Sequence, residues 1–257
     1  MNLLKKSFVT LGIVSLAGTA MAEVKQPLEV INRPLTTPAG QAEAGLSLGF
    51  LFFKDAAGDS DNIKFLGIGA GYGITEQLDA HVSYSTCLED GCDFKGDLTL
   101  ELGYSVLNTN PLHLAPDISF GYDTFGEMLT PLGLGARVRY NLSDNMAIYS
   151  PGTQLTVTLD GGPELAPGVD APKPIYLSLP VGFAYQVNPN LYVAAETNLA
   201  NIEIADSETQ FIFDSYIPVG LRGVYAVNSM IDVGLAVDAD LDNTDVFSLG
   251  LFARAFF

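Results

Sequence analysis

Five times along this chain a tyrosine closes an alternating apolar run, a short polar turn follows, and a new alternating run begins. Tyr72 precedes Ile74-Thr75-Glu76-Gln77, and Tyr104 precedes Leu107-Asn108-Thr109-Asn110-Pro111. Tyr140 precedes Asn141-Leu142-Ser143-Asp144-Asn145, Tyr185 precedes Val187-Asn188-Pro189-Asn190, and Tyr225 precedes Val227-Asn228-Ser229. A sixth run stops at Phe257. Side chains on a strand alternate faces, so one residue type at one parity and one distance from each turn marks a level on a single face. An aromatic level on an apolar face, with short turns just beyond it, is the period of antiparallel hairpins that cross a bilayer and are ringed by aromatics at the interface. A water-soluble sandwich also alternates, but gives its tyrosines no reason to recur at one level.

The parity holds along whole runs. In 98–106 the even positions are Leu98, Leu100, Leu102, Tyr104 and Val106, and the odd ones are Thr99, Glu101, Gly103 and Ser105. In 175–187 the odd set is Ile175, Leu177, Leu179, Val181, Phe183, Tyr185 and Val187. In 231–239 it is Ile231, Val233, Leu235, Val237 and Ala239, against Asp232, Gly234, Ala236 and Asp238. All five tyrosines fall on the apolar parity. The fold class this predicts is all-β, an antiparallel transmembrane β-barrel.

Residues 1–22 read as a secretory leader, with Lys5 and Lys6, an apolar stretch from Phe8 to Leu16, and Ala20-Met21-Ala22 as a small-residue cleavage site. That stretch is shorter than the roughly 20 residues a membrane helix needs. No later run reaches that length uninterrupted, although the mean hydropathy is positive. Apolar character spread over alternating strands reconciles the two. Removing the leader leaves 10 of the 12 basic residues against 30 acidic ones, a net charge of −20. This excludes a nucleic-acid partner, which requires clustered Lys and Arg. The acids gather between the runs, as at Asp55, Asp59 and Asp61 or Glu203, Asp206 and Glu208, where they solvate loops or attract cations. The two cysteines, Cys87 and Cys92, flank four residues and in an exported protein predict a small disulfide across a loop tip. Zinc would need more Cys or His nearby, so no metal and no cofactor is expected.

Residues 23–39, with Pro27, Pro34 and Pro38, are too polar and proline-rich for a strand and read as a periplasmic N-terminal segment or partial plug. The barrel is expected over 40–257. Twelve strands are expected, at 40–53, 63–74, 77–86, 97–106, 112–122, 130–140, 146–160, 175–187, 190–200, 209–227, 230–239 and 245–257. Long connections alternate with short turns, which places both termini on the short-turn, periplasmic side. Pro116, Pro151, Pro180 and Pro218 fall inside these strands, where a closed barrel tolerates a missing donor only at bulges or strand ends. Ser150-Pro151-Gly152 can equally be read as a turn, so ten or fourteen strands stay open.

The leader, the hairpin alternation and the ending Leu249, Leu251, Ala253, Ala255, Phe257 together resemble a small Gram-negative outer-membrane β-barrel protein of the porin-like kind. The resemblance implies residence in the outer membrane among its lipids, and recognition of the C-terminal run by the barrel-assembly machinery. Ala255 stands where such proteins commonly carry an aromatic residue, and the chain has no Trp. Tyr72, Tyr104, Tyr140, Tyr185, Tyr225 and Phe257 are then the interface girdle.

If the apolar parity faces lipid, the other lines the lumen. Much of it is small: Gly67, Gly69, Gly71 and Gly73, Gly133 and Gly135, Ala115, Ala194, Gly234, Ala236, Ser248 and Gly250. Its charged pore-lining candidates are Glu43, Asp79, His81, Glu101, Asp117, Glu196, Asp214, Asp232 and Asp238, opposed by Arg137, Arg139, Arg222 and Arg254. Small side chains leave room in a wide barrel, and charged rings tune selectivity. The expected function is passive diffusion of small hydrophilic solutes, leaning to cations. Two other readings stay open. One is a non-conducting structural or interaction barrel whose acidic loops bind ions, polysaccharide or protein. The other is a carrier of apolar solutes, with Ile204, Phe211, Phe213 and Tyr216 as an outer gate. No catalytic residue is expected: Asp79, His81 and Ser83 share a face, but inward, away from lipid substrates.

Overall fold

The structure is a computed structural model that describes residues 26–54, 60–89, 95–124, 132–159, 173, 175–204, 209–211, 217–242 and 245–257. The leader expected over 1–22 lies outside the described residues, as do Cys92, Phe213, Asp214 and Tyr216. No described helix is long and apolar enough to cross a membrane.

The described strands are β1 (Ala42–Lys54), β2 (Ser60–Gly73), β3 (Leu78–Cys87), β4 (Gly96–Tyr104), β5 (Leu107–Thr109), β6 (Leu112–Asp123), β7 (Leu132–Ser143), β8 (Met146–Pro151), β9 (Leu155–Val157), β10 (Ile175–Asn188), β11 (Leu191–Glu203), β12 (Thr209–Phe211), β13 (Pro218–Asn228), β14 (Ile231–Asp240) and β15 (Phe247–Phe256). β8 and β9 share both neighbours, β4 and β5 share β6, and β12 and β13 share β11, so each pair forms one stave. The result is a closed, antiparallel barrel of twelve staves. The seam is β1 against β15, in register from Glu43 opposite Phe256 to Phe52 opposite Phe247. A closed ring leaves no strand edge, which is what a bilayer demands of a sheet.

Two departures from the expected strands have local causes. The fourth stave does not turn at 107: β5 continues it, pairing Leu107 with Leu114, and the turn narrows to Asn110-Pro111. Ser150-Pro151-Gly152 is no turn between staves but a bulge within one. Gly152 takes φ +113° and Thr153 φ +37°. The strand then resumes because Gln154 repairs the ladder with its side chain: Oε1 accepts from the Ala136 amide at 2.7 Å and Nε2 donates to the Ala136 carbonyl at 2.9 Å. Two other prolines are accommodated similarly, while Pro116 sits in unbroken register opposite Ala136. Pro180 sits at a register shift where Asn198 Oδ1 accepts from the Leu179 amide at 2.9 Å, and Pro218 opens its strand.

The outward face is apolar and uncovered. Leu46, Ile68, Val82, Leu100, Leu134, Ile148, Phe183, Leu221, Leu235 and Leu251 are all exposed. In water this would be a severe liability, whereas in a bilayer it is the solvated surface. Tyr72, Tyr104, Tyr140, Tyr185 and Tyr225 are exposed at the short-turn end of that face. Phe257 lies there too, its amide and carbonyl paired with Ala42. The opposite rim carries aromatics that the tyrosine period does not reveal: Phe52 stacks on Phe247 at 4.7 Å between ring centroids, with Phe50 beside it.

Candidate functional site: the lumen and the segment across it

The inward parity sets large side chains beside glycines on neighbouring staves. Gly71 faces Glu43 on one side and His81 on the other. A Cβ on Gly71 would come within 2.5 Å of His81 Nδ1 and 2.8 Å of Glu43 Cγ. A Cβ on Gly103 would collide with the Arg137 guanidinium, and one on Gly182 would come within 2.5 Å of the Tyr149 ring. These glycines seat their neighbours. They do not leave the open space that the sequence reading assigned to every small residue. The open wall is narrower, at Gly45, Gly49, Gly69 and Gly250, where the nearest atoms to such a Cβ stand 3.5 Å or more away. All four lie on β15, β1 and β2.

The short-turn end of the lumen is occupied by residues 26–39. This segment makes one 3-10 turn, Val30–Asn32. It is bonded to inward side chains of β3, β7, β10 and β14. Ile31 is 2% exposed and packs on Ala147, Ala184 and Ala194, while its amide donates to Gln186 Oε1 at 3.1 Å. Arg33 places its guanidinium on both oxygens of Asp232, with Nη2–Oδ1 at 2.9 Å. It also lies over the Phe256 ring, 5.2 Å from the centroid. Arg139 donates to the Arg33 carbonyl at 2.7 Å and Arg137 to the Leu35 carbonyl at 2.6 Å. The Thr37 amide donates to Asp79 Oδ2 at 2.8 Å. The segment then rejoins the wall where Ala39 bridges Gly73. An isolated buried charge is costly, but charge-assisted bonds of this kind are strong. Besides the Arg33 guanidinium and the packed Ile31 side chain, the wall holds mainly backbone, by the carbonyls of Arg33 and Leu35 and the amides of Ile31 and Thr37.

The sequence-predicted lumen residues fall into clusters. Asp79, fully buried, meets Arg137 Nη2 at 3.1 Å and His81 Nε2 at 2.9 Å. His81 Nδ1 lies 3.0 Å from Glu43, and Glu101 lies 3.7 Å from Arg137 Nε. Both ring nitrogens of His81 are therefore engaged by carboxylates, leaving neither for Ser83. Asp232, also fully buried, takes Arg254 at 3.2 Å in addition to Arg33. Glu196 accepts from the Tyr149 hydroxyl at 2.5 Å and faces Arg222 at 3.4 Å. Asp117 is drawn to the bulge, accepting from the Thr153 amide at 3.2 Å. Asp238 accepts from Ser248 Oγ at 3.2 Å. Arg139 has no carboxylate within ion-pair distance among the described residues. Cys87 ends β3 and is disulfide-bonded. Among the described residues no group of three or more His, Cys, Asp or Glu is placed to hold a metal ion.

Sequence reasoning named most of these charges but missed Arg33, Gln186, Tyr149 and Gln154. Arg33 carried a signal, as the one cation of residues 26–39.

Three cavities follow one another along the lumen. The innermost, about 230 Å³, lies around the segment, between Arg33, Arg139, His81 and Arg254. The middle one, about 700 Å³, shares Val30 and Arg254 with it and is walled by Gly45, Ser47, Gly69, Ser83, Ala236 and Gly250. The outer one, about 540 Å³, meets the middle one at Pro151 and Glu196.

A closed twelve-stave barrel with a bare apolar exterior, short turns at one end and a charged interior is an outer-membrane β-barrel of porin architecture. No protein-family model matches the chain, and no curated protein matches it in sequence. Among solved structures it is similar to the NanC porin, with a TM-score of 0.62 at 9% identity over 82% of this chain and 98% of that chain. It is similar to the KdgM porin in complex with disordered oligogalacturonate, with a TM-score of 0.54 at 8% identity over 82% and 98%. It is also similar to the translocator domain of the autotransporter NalP from Neisseria meningitidis, with a TM-score of 0.50 at 9% identity over 84% and 87%. At these identities the likeness is one of fold. Porins and a translocator share it, so function has to be argued from the lumen.

Proposed function

We propose that the protein is an outer-membrane channel for passive diffusion of small hydrophilic solutes, preferring cations and neutral molecules, narrowed at its periplasmic end by residues 26–39. Residues 1–22 act as its leader, and the C-terminal run ending in Phe257 addresses it to the barrel-assembly machinery. The observation that carries this reading is the succession of cavities along the lumen, walled in the middle by glycine, serine and alanine.

The sign of the preference rests on the inward charges. Glu196, Asp238 and Asp240 line the two outer cavities, and Glu101 and Asp117 lie on the same inward parity. The cations that reach the same cavities, Arg222 and Arg254, each pair with a carboxylate. Rings of carboxylates favour cations. The KdgM structure holds oligogalacturonate, a polyanion, so the likeness in fold does not extend to that ligand here.

A second reading, a barrel closed at rest, draws support from the bonds that hold the segment. Planar-bilayer recording of the mature protein and of a variant lacking residues 26–39 separates the two. The channel reading expects cation-preferring steps from the mature protein and larger steps from the variant. Steps from the variant alone would make the segment a gate. Steps from neither would leave a structural barrel.

A further inference from the structure

The inward parity changes character toward the long loops. Near the segment it is charged, and midway it is small. In the outer cavity hydrocarbon joins the polar groups: Pro151, Pro180 and Pro218 come from β8, β10 and β13, with β11 between the last two, and Leu51 lines the same cavity from β1, beside Glu196, Asn198, Asp238, Asp240 and Ser248. These are three of the four prolines that fit a closed barrel least comfortably, and each needs a bulge, a register shift or a strand end. They converge on one cavity of about 540 Å³. These four side chains offer water and hydroxyl groups no partner, so a lumen that only passed ions or sugars would gain nothing from them.

The same cavity holds a carboxylate without a counter-charge. Asp238 is exposed to it, is held by Ser248 Oγ at 3.2 Å, and has no cation within ion-pair distance among the described residues. Gly220 beside it leaves room, since a Cβ there would come within 2.7 Å of Asp238 Oδ1. Glu196 at the floor is already engaged by Tyr149 and Arg222. Asp240, the third carboxylate on this wall, already accepts from the Ile217 amide at 2.8 Å and the Asp242 amide at 3.0 Å. Hydrocarbon with a few placed polar groups is the usual form of a small-ligand site.

We infer that the outer cavity is a binding site for small organic cations, an ammonium group at Asp238 with a hydrocarbon body on Pro151, Pro180, Pro218 and Leu51. This deepens the channel reading and rests on it for the role of the site, which selects such cations from the medium before they enter the middle cavity. Two parts of the wall do different work. Asp238 sets the sign of the charge, and the prolines and Leu51 set the dependence on hydrocarbon length.

The test uses the mature protein and a series of n-alkyltrimethylammonium ions from ethyl to butyl, with butyrate as control. Block of potassium chloride conductance is read in planar bilayers, and binding is read by titration calorimetry in micelles. Affinity should rise roughly two- to fourfold with each methylene, as expected for partial to full burial of that group. Butyrate should not bind. Asp238→Asn should weaken the whole series by roughly two- to fivefold, the scale of an exposed charge contact. Leu51→Ser should flatten the length dependence instead. Equal affinity along the series, or butyrate binding as well as the ammonium ions, would overturn the site. Conductance steps without block or binding would remove the site and keep the channel. Binding without steps would keep the site and remove the channel.

Discussion

Arg33 crosses 199 residues of sequence to set its guanidinium on both carboxylate oxygens of Asp232, a side chain with no exposed surface. The pair ties the segment before the first strand to the stave next to the last. Arg254 shares the same carboxylate, so Asp232 serves two cations.

That asymmetry makes Asp232→Asn more damaging than Arg33→Ala. The first leaves two guanidinium groups without their charge partner, and breaking a buried pair in this way costs about 3–5 kcal/mol. The second leaves Asp232 still paired with Arg254. Amide exchange at Ile31 and Thr37 should accelerate in both variants, and further in Asp232→Asn. Equal protection in wild type and Asp232→Asn would show that the pair does not hold the segment.

Gly103→Ala should mimic Arg137→Ala. The added methyl group occupies the place of the Arg137 guanidinium, which bonds both Asp79 and the Leu35 carbonyl. Because both changes remove the same contacts, their effects on exchange at Thr37 should not add in the double variant. Additive effects would mean that the glycine and the arginine act separately.

The two faces of β14 should respond in opposite ways. Leu235→Arg places a charge on the lipid side and should cost about 2–4 kcal/mol of unfolding free energy in vesicles if it lies near the midplane. Ala236→Ser, on the lumen side, should change stability little. Equal costs would contradict the assigned parity.

Gln154→Ala should destabilise the barrel by about 1–3 kcal/mol, because it strips partners from both the amide and the carbonyl of Ala136. Urea unfolding in vesicles checks this, and near-neutral behaviour would mean that water or a shifted strand replaces the carboxamide.

The strands and their faces were legible because both depend on nearest neighbours in the chain. Alternation around Tyr104 or Tyr185 fixes a face without reference to the rest of the molecule. The same locality explains what was not legible. The segment is held by the carbonyls of Arg33 and Leu35, and a carbonyl leaves no trace in the identity of its residue. Gly103 reads as empty space until Arg137, 34 positions later, is known to lie over it. The bulge at Gly152 and Thr153 was ambiguous because its compensation, the Gln154 carboxamide on Ala136, is a contact between staves. The four in-strand prolines were visible as exceptions. That three of them face one cavity became visible only when β8, β10 and β13 came together.

The central claim, a conducting lumen whose inward carboxylates set its preference, is tested most directly by the reversal potential of the mature protein in a potassium chloride gradient across a planar bilayer. The account predicts stable steps and a reversal potential of cation-preferring sign, which shrinks when Glu101 and Asp238 are both replaced by their amides. A reversal potential of anion-preferring sign, or one unmoved by those replacements, would contradict it.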